Sequence, residues 1–150
     1  MSDDYLRLIP TEPRYVPTTD KAESARKRFA ELLPDAEQVT AIVTDSVEFI
    51  DQGVSFERVR CPNCGKELDK GWWQARMDEA SVVSFSALEV VVPCCASRVS
   101  LNDLAYEWPA GFARFVLEAM NPNAGDLSDA ALADVAKALG APLRKIWAHY

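Results

Sequence analysis

The chain has 150 residues, of which 49% are hydrophobic and 26% charged, and its formal net charge is −7. These proportions are typical of one folded globular domain and argue against a disordered chain. An acidic surface repels phosphate backbones, so the charge disfavours nucleic-acid binding as a general property. No run of about 18 apolar residues occurs, so no membrane span is predicted, and the acidic first ten residues predict no signal peptide.

The first third of the chain predicts strand, helix and strand. A short strand stops at Pro10, and a helix begins near Asp20, which has Glu23 at capping-box spacing. Pro34 ends that helix. Residues 38–51 then alternate as a strand with one buried face, and Asp45 interrupts the pattern at a bulge or turn. The predicted buried positions are Val39, Ala41, Val43, Val47 and Phe49.

The middle of the chain carries all four cysteines. A strand over residues 55–61 is predicted to run into Cys61, and Gly65 follows Cys64. A helix is predicted from about Asp69 to Ala80, with Trp72, Trp73 and Met77 as its apolar residues. The apolar stretch at residues 87–93 predicts a strand that leads into Cys94.

The last third of the chain again predicts strand, helix and strand. Residues 112–120 alternate, with Ala113, Phe115, Leu117 and Ala119 on one face. Ser128 is a predicted helix cap, and the helix ends before a glycine at position 140. Residues 142–150 predict a final short strand.

The similar ends of the chain predict the fold class. Two strand–helix–strand units that share one antiparallel sheet, with helices on one face, make a ferredoxin-like α+β fold. The prediction is therefore a single α+β domain over residues 1–150. Residues 58–105 hold the cysteines and form a zinc-ribbon-like, zinc-binding insertion within it.

The cysteine spacing predicts a metal site. Cys61 and Cys64 stand in "CPNCG", where the proline stiffens the turn and the glycine lets the chain fold back, as in zinc-ribbon turns. Cys94 and Cys95 are adjacent, so both reach one ion only if the backbone turns sharply there. The leading interpretation is one structural Zn²⁺ held by all four thiolates.

Three other interpretations of the cysteines stay open at this point. Zinc can be held by three thiolates and a fourth ligand such as His149 or Asp103. The C-x-x-C pair can be a redox site, or the thiols can be inert and buried. A cytoplasmic location is predicted, and because cysteines there are kept reduced, a disulfide framework is not.

The sequence contains no recognisable catalytic set. His149 is the single histidine, and no nucleophile elbow, phosphate-binding loop or H-E-x-x-H motif occurs. The protein is therefore predicted not to be an enzyme. Trp72 and Trp73 are interpreted mainly as a shield for the metal site, and Tyr106 and Trp108 mainly as core, with a partner contact as the alternative.

Several stretches together resemble a family of small, uncharacterised bacterial proteins with a zinc-ribbon-like CPxCG…PCC site. They are "CPNCGKEL", "PCC", "SLNDLAYEWPAGFARFVLEAMNP" and "LRKIWAHY". The resemblance implies zinc binding by the two cysteine pairs and no established activity. By size and charge the chain also resembles immunity proteins, which neutralise toxins by binding them.

The leading functional hypothesis is a non-enzymatic zinc-binding protein that acts through contact with another protein, for example as a toxin-neutralising immunity protein. The first alternative is a nucleic-acid-binding zinc ribbon. It is disfavoured because residues 61–105 hold four basic residues against six acidic ones. The second alternative is a small ligand-binding or enzymatic domain with a pocket near the aromatic clusters.

Overall fold

A computed structural model describes residues 3–150 of the chain. The single-domain prediction also includes Met1 and Ser2, which lie outside the described residues. Three helices are present in this part of the chain, α1 (Thr19–Leu32), α2 (Lys70–Val82) and α3 (Asp129–Leu139), together with a 3-10 helix at Leu101–Asp103. The strands are β1 (Asp4–Pro10), β2 (Gln38–Ile50), β3 (Val59–Arg60), β4 (Glu89–Val91), β5 (Arg98–Ser100), β6 (Ala105–Tyr106), β7 (Gly111–Met120) and β8 (Leu143–His149).

Four strands form the main sheet, in the order β2-β7-β1-β8. All three neighbouring pairs in it are antiparallel. Strands β3 and β6 form a separate two-stranded sheet, and β4 and β5 another. The predicted mixed α/β class with an open antiparallel sheet is confirmed. Within residues 3–150, none of the helices is long and apolar enough to cross a bilayer.

The helix ends follow short-range capping chemistry. Ser128 accepts a hydrogen bond from the backbone N–H of Ala131, and Gly140 closes α3 in the left-handed conformation, as predicted. Asp69 caps α2. For α1 the predicted capping position was wrong, because Thr18 rather than Asp20 provides the side-chain oxygen.

A bulge divides β2 and changes which residues it buries. The pairing with β7 shifts between Val43 and Glu48, so that residues 44–47 stand opposite Arg114 alone. Arg114 donates its Nε–H to the carbonyl of Thr44 at 2.9 Å, which fixes the distortion. The single buried face predicted for β2 was therefore wrong. Val47 is buried, whereas Val43 is 53% exposed because β2 is an edge strand.

The bulge also changes the faces of β7. Phe115, Leu117 and Ala119 share one core cluster, as predicted. Ala113 does not join them, and it packs in a separate cluster with Ile9 and Val116. The regular alternation predicted across the whole strand therefore stops opposite the bulge.

Two large hydrophobic clusters stabilise the molecule. One cluster joins the main sheet to α1 and α3, and it includes Leu6, Phe29 and Leu139. The other lies around α2 and the small sheets, and it includes Trp73, Val92 and Phe112. Strand β7 contributes to both clusters, so it connects the cysteine-bearing segment to the main sheet.

Asn102 joins the cysteine-bearing segment to the main sheet through hydrogen bonds. Its side chain is buried, and its Oδ1 accepts from the backbone N–H of Phe112 at 2.9 Å. Its Nδ2 donates to the carbonyl of Thr11 at 3.1 Å. The Nη1 of Arg144 on β8 donates to the Asn102 carbonyl at 2.7 Å. These bonds fix the segment against two strands of the sheet.

Candidate metal centre

The first cysteine pair lies in a tight turn that two antiparallel contacts close. The backbone N–H of Leu68 donates to the carbonyl of Val59 at 2.8 Å, and Arg60 bridges to Glu67. Within the turn, the N–H of Gly65 donates to the Cys61 carbonyl at 2.9 Å. Gly65 has a φ of +77°, a conformation that glycine adopts at little cost.

The second pair lies in a hairpin formed by β4 and β5. Val91 pairs with Arg98, and the N–H of Val92 donates to the Ser97 carbonyl at 3.0 Å. The N–H of Ala96 donates to the Val92 carbonyl at 3.0 Å. Ala96 has a φ of +57°, so the sharp reversal that adjacent cysteine ligands require is present.

The two turns have the same backbone hydrogen bonds, 31 positions apart in the sequence. The bond from the Cys61 N–H to the Lys66 carbonyl, 2.9 Å, corresponds to the bond from the Val92 N–H to the Ser97 carbonyl. Aligned in this way, "CPNCGK" matches "VPCCAS". Cys64 and Cys95 are then equivalent, whereas Val92 occupies the position of Cys61 and Cys94 the position of Asn63. The second turn therefore repeats the backbone of the first, with one thiol at the third position instead of the first.

The position of Cys94 in its turn brings both adjacent cysteines to one sulfur cluster. The four sulfurs all lie within 4.8 Å of one another. The Cys61 and Cys95 sulfurs are 3.8 Å apart, and the Cys64 and Cys94 sulfurs are 3.3 Å apart. A tetrahedral ion with bonds of about 2.3 Å to sulfur needs sulfur separations of about 3.8 Å. The cluster is therefore within about 1 Å of that geometry and can hold a metal ion.

Polar groups of both turns point at the sulfurs. The N–H groups of Asn63 and Cys64 donate to the Cys61 sulfur at 3.4 and 3.5 Å. The Asn63 side chain donates to the Cys95 sulfur at 3.5 Å, and Ser97 Oγ lies 3.3 Å from that sulfur. Such outer contacts orient metal-bound thiolates and spread their charge.

These contacts separate the pKa values of the thiols. The hydrogen bond from the Cys64 N–H lowers the pKa of Cys61. The bonds from Asn63 and Ser97 lower the pKa of Cys95 to about 6. Burial, together with the neighbouring thiols, raises the pKa of Cys94 to about 12. Four crowded thiols cannot all ionise without a cation between them, and a divalent ion supplies that charge.

The alternative fourth ligands lie elsewhere. The His149 Nδ1 is 2.7 Å from an Asp4 carboxylate oxygen and its ring meets Trp108 edge-on. Asp103 is 3.9 Å from the Arg144 guanidinium. Neither belongs to the sulfur cluster, which within the described residues consists of the four predicted cysteines. Ligation of one ion by these four residues stays a prediction.

The aromatic residues near the centre divide between core and surface. Trp73 is buried, and its Nε1–H donates to the Tyr106 hydroxyl at 3.2 Å. Its ring stacks on Phe56 with a centroid distance of 4.9 Å. Trp72 is partly buried beside the same cluster, whereas Trp108 is 41% exposed. The two tryptophans of α2 therefore pack in or against this core, and their role as a shield for a metal site stays a prediction. The core prediction is confirmed for Tyr106 and was wrong for Trp108.

A second concavity lies on the main sheet, away from the cysteines. It has a volume of about 220 Å³ and is lined by residues of β1, β2, β7 and the C-terminus. Arg7 donates to Glu118 at 2.9 Å and to the Tyr150 hydroxyl at 2.9 Å. The Tyr150 hydroxyl in turn donates to Asp51 at 2.9 Å. Arg7, Glu118, Tyr150 and Asp51 therefore form one hydrogen-bonded network in the concavity.

Sequence reasoning found the four cysteines but missed the residues that support them. It did not identify Asn63 and Ser97 as partners of Cys95, or Val92 as the residue equivalent to Cys61. The available signal was the shared proline, because Pro62 and Pro93 align when the two stretches are superposed on proline rather than on cysteine.

Comparisons with family models, with curated proteins and with solved structures give no match to this chain. The predicted family resemblance therefore stays a prediction. The cysteine cluster that it implied is present in the fold.

Proposed function

We propose that this protein is a non-enzymatic, zinc-stabilised α+β protein that acts by binding another protein. The observation that carries the zinc assignment is the set of four sulfurs within 4.8 Å of one another. Zinc is preferred over other ions because four thiolates in a tetrahedron are its usual structural ligand set. A site with four protein ligands leaves no position for water or substrate, so its role is to stabilise.

We also propose a ferredoxin-like fold with a zinc-ribbon-like insertion. The strand order β2-β7-β1-β8, with α1 after β1 and α3 after β7, supports a ferredoxin-like plan of two interleaved strand–helix–strand units. The two equivalent hairpins support a zinc-ribbon-like insertion between the units. In this view the metal orders the insertion, and the sheet carries the contact surface.

The free edge of β2 is the contact surface that we propose. Edge strands present unpaired backbone N–H and C=O groups, and proteins usually protect them with charge or proline. Residues 38–44 contain neither, and Ile42 and Val43 are 37% and 53% exposed. The opposite edge, β8, carries Arg144 and Lys145 and receives a hydrogen bond from the Val54 N–H to its His149 carbonyl.

The charges beside this edge indicate which kind of strand can pair with it. Glu37 and Asp45 flank the uncharged stretch, so two copies that pair antiparallel about Ala41 bring like charges together. The edge instead fits an extended strand of another protein flanked by lysine or arginine, added by β-augmentation. A toxin with a basic surface strand is one such partner, which keeps the immunity hypothesis as a special case.

Nucleic-acid binding is less well supported. In the cysteine-bearing segment, Arg58 pairs with Glu67, Arg76 with Glu79, and Arg98 with Glu89. Basic groups that already face carboxylates attract phosphate weakly. A gel shift at low salt tests this alternative, and binding that strengthens as salt falls would favour it over a protein partner.

Metal analysis of the purified full chain tests the zinc assignment. We expect about one zinc per chain, retained through gel filtration, because structural four-thiolate sites bind tightly at neutral pH. Purification under reducing conditions keeps the thiols available. A chain that folds with no stoichiometric metal, or with iron in place of zinc, would overturn the assignment.

Photo-crosslinking in source cells tests the contact surface. A photoreactive residue at position 43 should capture a partner through an extended segment flanked by basic residues. Val43→Lys should then weaken that complex about tenfold or more, because it places a positive charge against a basic partner. Val82→Lys, at a valine of α2 that is 84% exposed, is the matched control and should leave affinity unchanged. Crosslinks to a second copy or to nucleic acid would contradict the proposal.

A further inference from the structure

The four cysteines of the cluster differ in their exposure to solvent. Cys61 is 1% exposed, whereas Cys64 is exposed and Cys94 is partly exposed. Cys94 is more exposed than Cys61 because it stands at a different position of its turn. The residue equivalent to buried Cys61 is Val92, which is itself fully buried, and the thiol stands instead at the third position, where the first turn has an exposed asparagine.

The third position of its turn brings Cys94 close to the other hairpin. Its sulfur lies 3.3 Å from that of Cys64, closer than the 3.8 Å between Cys61 and Cys95. A disulfide needs a sulfur separation of about 2.05 Å, so Cys64 and Cys94 require the smaller approach. Cys95 is also exposed, but Asn63 and Ser97 contact its sulfur and its near neighbour Cys61 is buried.

Resting on the zinc site of the proposed function, we propose that Cys64 and Cys94 are a peroxide-oxidisable pair whose disulfide releases the metal. Thiolate oxidation follows exposure and the presence of a nearby resolving thiol. Cys64 supplies the exposed sulfur and Cys94 the near one. The disulfide would join the same two hairpins that the metal joins. The oxidised insertion therefore keeps one crosslink while it loses its ion.

The oxidant is a hydroperoxide, and the reaction balances as a two-electron step. The exposed Cys64 sulfur attacks a peroxide oxygen, the O–O bond breaks, and a sulfenic acid forms with release of hydroxide. Cys94, which is a thiolate in the zinc-loaded protein because the cation offsets the crowding of the thiols, then attacks the Cys64 sulfur, forms the S–S bond and displaces a second hydroxide. Two protons convert the hydroxides to water, so two thiolates and one hydrogen peroxide give one disulfide and two waters. Cys61 and Cys95 remain as two thiolates, too few to hold the ion tightly.

The test uses the full chain, with zinc content measured before any oxidant is added. Hydrogen peroxide is then added in steps, and released zinc is followed with a chromogenic chelator. Peptide mapping without reduction identifies the disulfide. We expect about one zinc released per disulfide formed, with Cys64 joined to Cys94. Absence of zinc at the start overturns the proposed function, whereas a different connectivity or irreversible oxidation without a disulfide overturns this proposal.

The matched variant is V92C/C94N, which moves the fourth thiol to the buried first position and leaves an asparagine at the third, as in the first turn. After its zinc content has been checked, peroxide should release its metal about tenfold more slowly than from the unmodified chain, because its fourth thiol is shielded. Equal rates would overturn the proposal. If the variant does not load with zinc, the disulfide map of the unmodified chain decides the question.

Discussion

We expect the Cys64→Ser variant to lose its zinc and the order of the cysteine-bearing segment together. Serine cannot supply a thiolate, and three remaining thiolates hold the ion far less tightly. Metal binding in small zinc domains contributes roughly 10–16 kcal/mol to folding. The segment has only short strands of its own, with two or three residues each in β3, β4, β5 and β6. We therefore expect the order of this segment to depend on the metal as well as on its hydrophobic cluster.

The main sheet should survive this substitution. Its core, formed with α1 and α3, is a separate hydrophobic cluster from the one around α2. Hydrogen exchange measured by segment distinguishes the two parts. Amides of residues 59–101 should lose protection, whereas those of β1 and α3 should keep it. Fluorescence of Trp72 and Trp73 should also shift as the cluster around α2 opens.

Asn63→Ser is the control for this experiment. It changes a neighbouring position that is exposed and contacts Cys95, but it keeps all four thiols. The control should retain about one zinc per chain. Full zinc retention in Cys64→Ser would remove this residue from the ligand set. Loss of protection throughout the chain would show instead that residues 58–105 are not a separable insertion.

Local chemistry made the helices predictable. The Ser128 cap and the glycine at the end of α3 depend on neighbours within a few residues, so the sequence carries enough information to place them. Helix α1 ends at Leu32, two residues before Pro34, because proline lacks a backbone N–H and disfavours a helical conformation in the residue before it. The mixed α/β class follows because alternating and helical patterns each fit a single kind of element.

The bulge in β2 could be suspected but not resolved. Asp45 marked the interruption, but the sequence does not say which residues of β7 lie opposite. The side chain of Arg114, 70 positions away, fixes the distortion through the Thr44 carbonyl. Ala113 pairs with Glu48, on the far side of the bulge from Phe115, so the face on which it lies depends on this long-range contact. Local periodicity therefore assigned Ala113 to the wrong cluster.

The equivalence of the two cysteine turns can be found in the sequence, but the different positions of their cysteines obscure it. Aligning the stretches on their thiols sets "CPNC" against "PCC" and gives no regular repeat. Alignment on the prolines gives two turns with the same hydrogen bonds, but only the backbone geometry justifies that choice. A short motif identifies residue types, whereas the structure shows which positions of the two turns have the same backbone hydrogen bonds.

This equivalence predicts a rescue. Cys94→Asn alone should lose the zinc, because three thiolates remain. Adding Val92→Cys to it should restore about one zinc per chain, since the first turn carries its two thiols at the first and fourth positions. Both substituted residues then match their counterparts, Cys61 and Asn63. The exchange of valine for cysteine is also a small volume change at a buried site, which well-packed cores tolerate.

The rescue tests whether the two turns are equivalent as metal-binding turns, or whether Cys94 binds in a way that has no counterpart in the first turn. Metal content and the thermal unfolding midpoint of both variants are compared with those of the unmodified chain under reducing conditions. If the turns are equivalent, the double variant regains the zinc and most of the midpoint that Cys94→Asn loses. Val92→Cys without the second change is the control, because it keeps all four original thiols and should hold one ion rather than two. A double variant that stays without metal would mean that Cys94 binds from a geometry peculiar to the second turn. The likeness of the two hairpins would then extend to their backbones but not to the way they hold the ion.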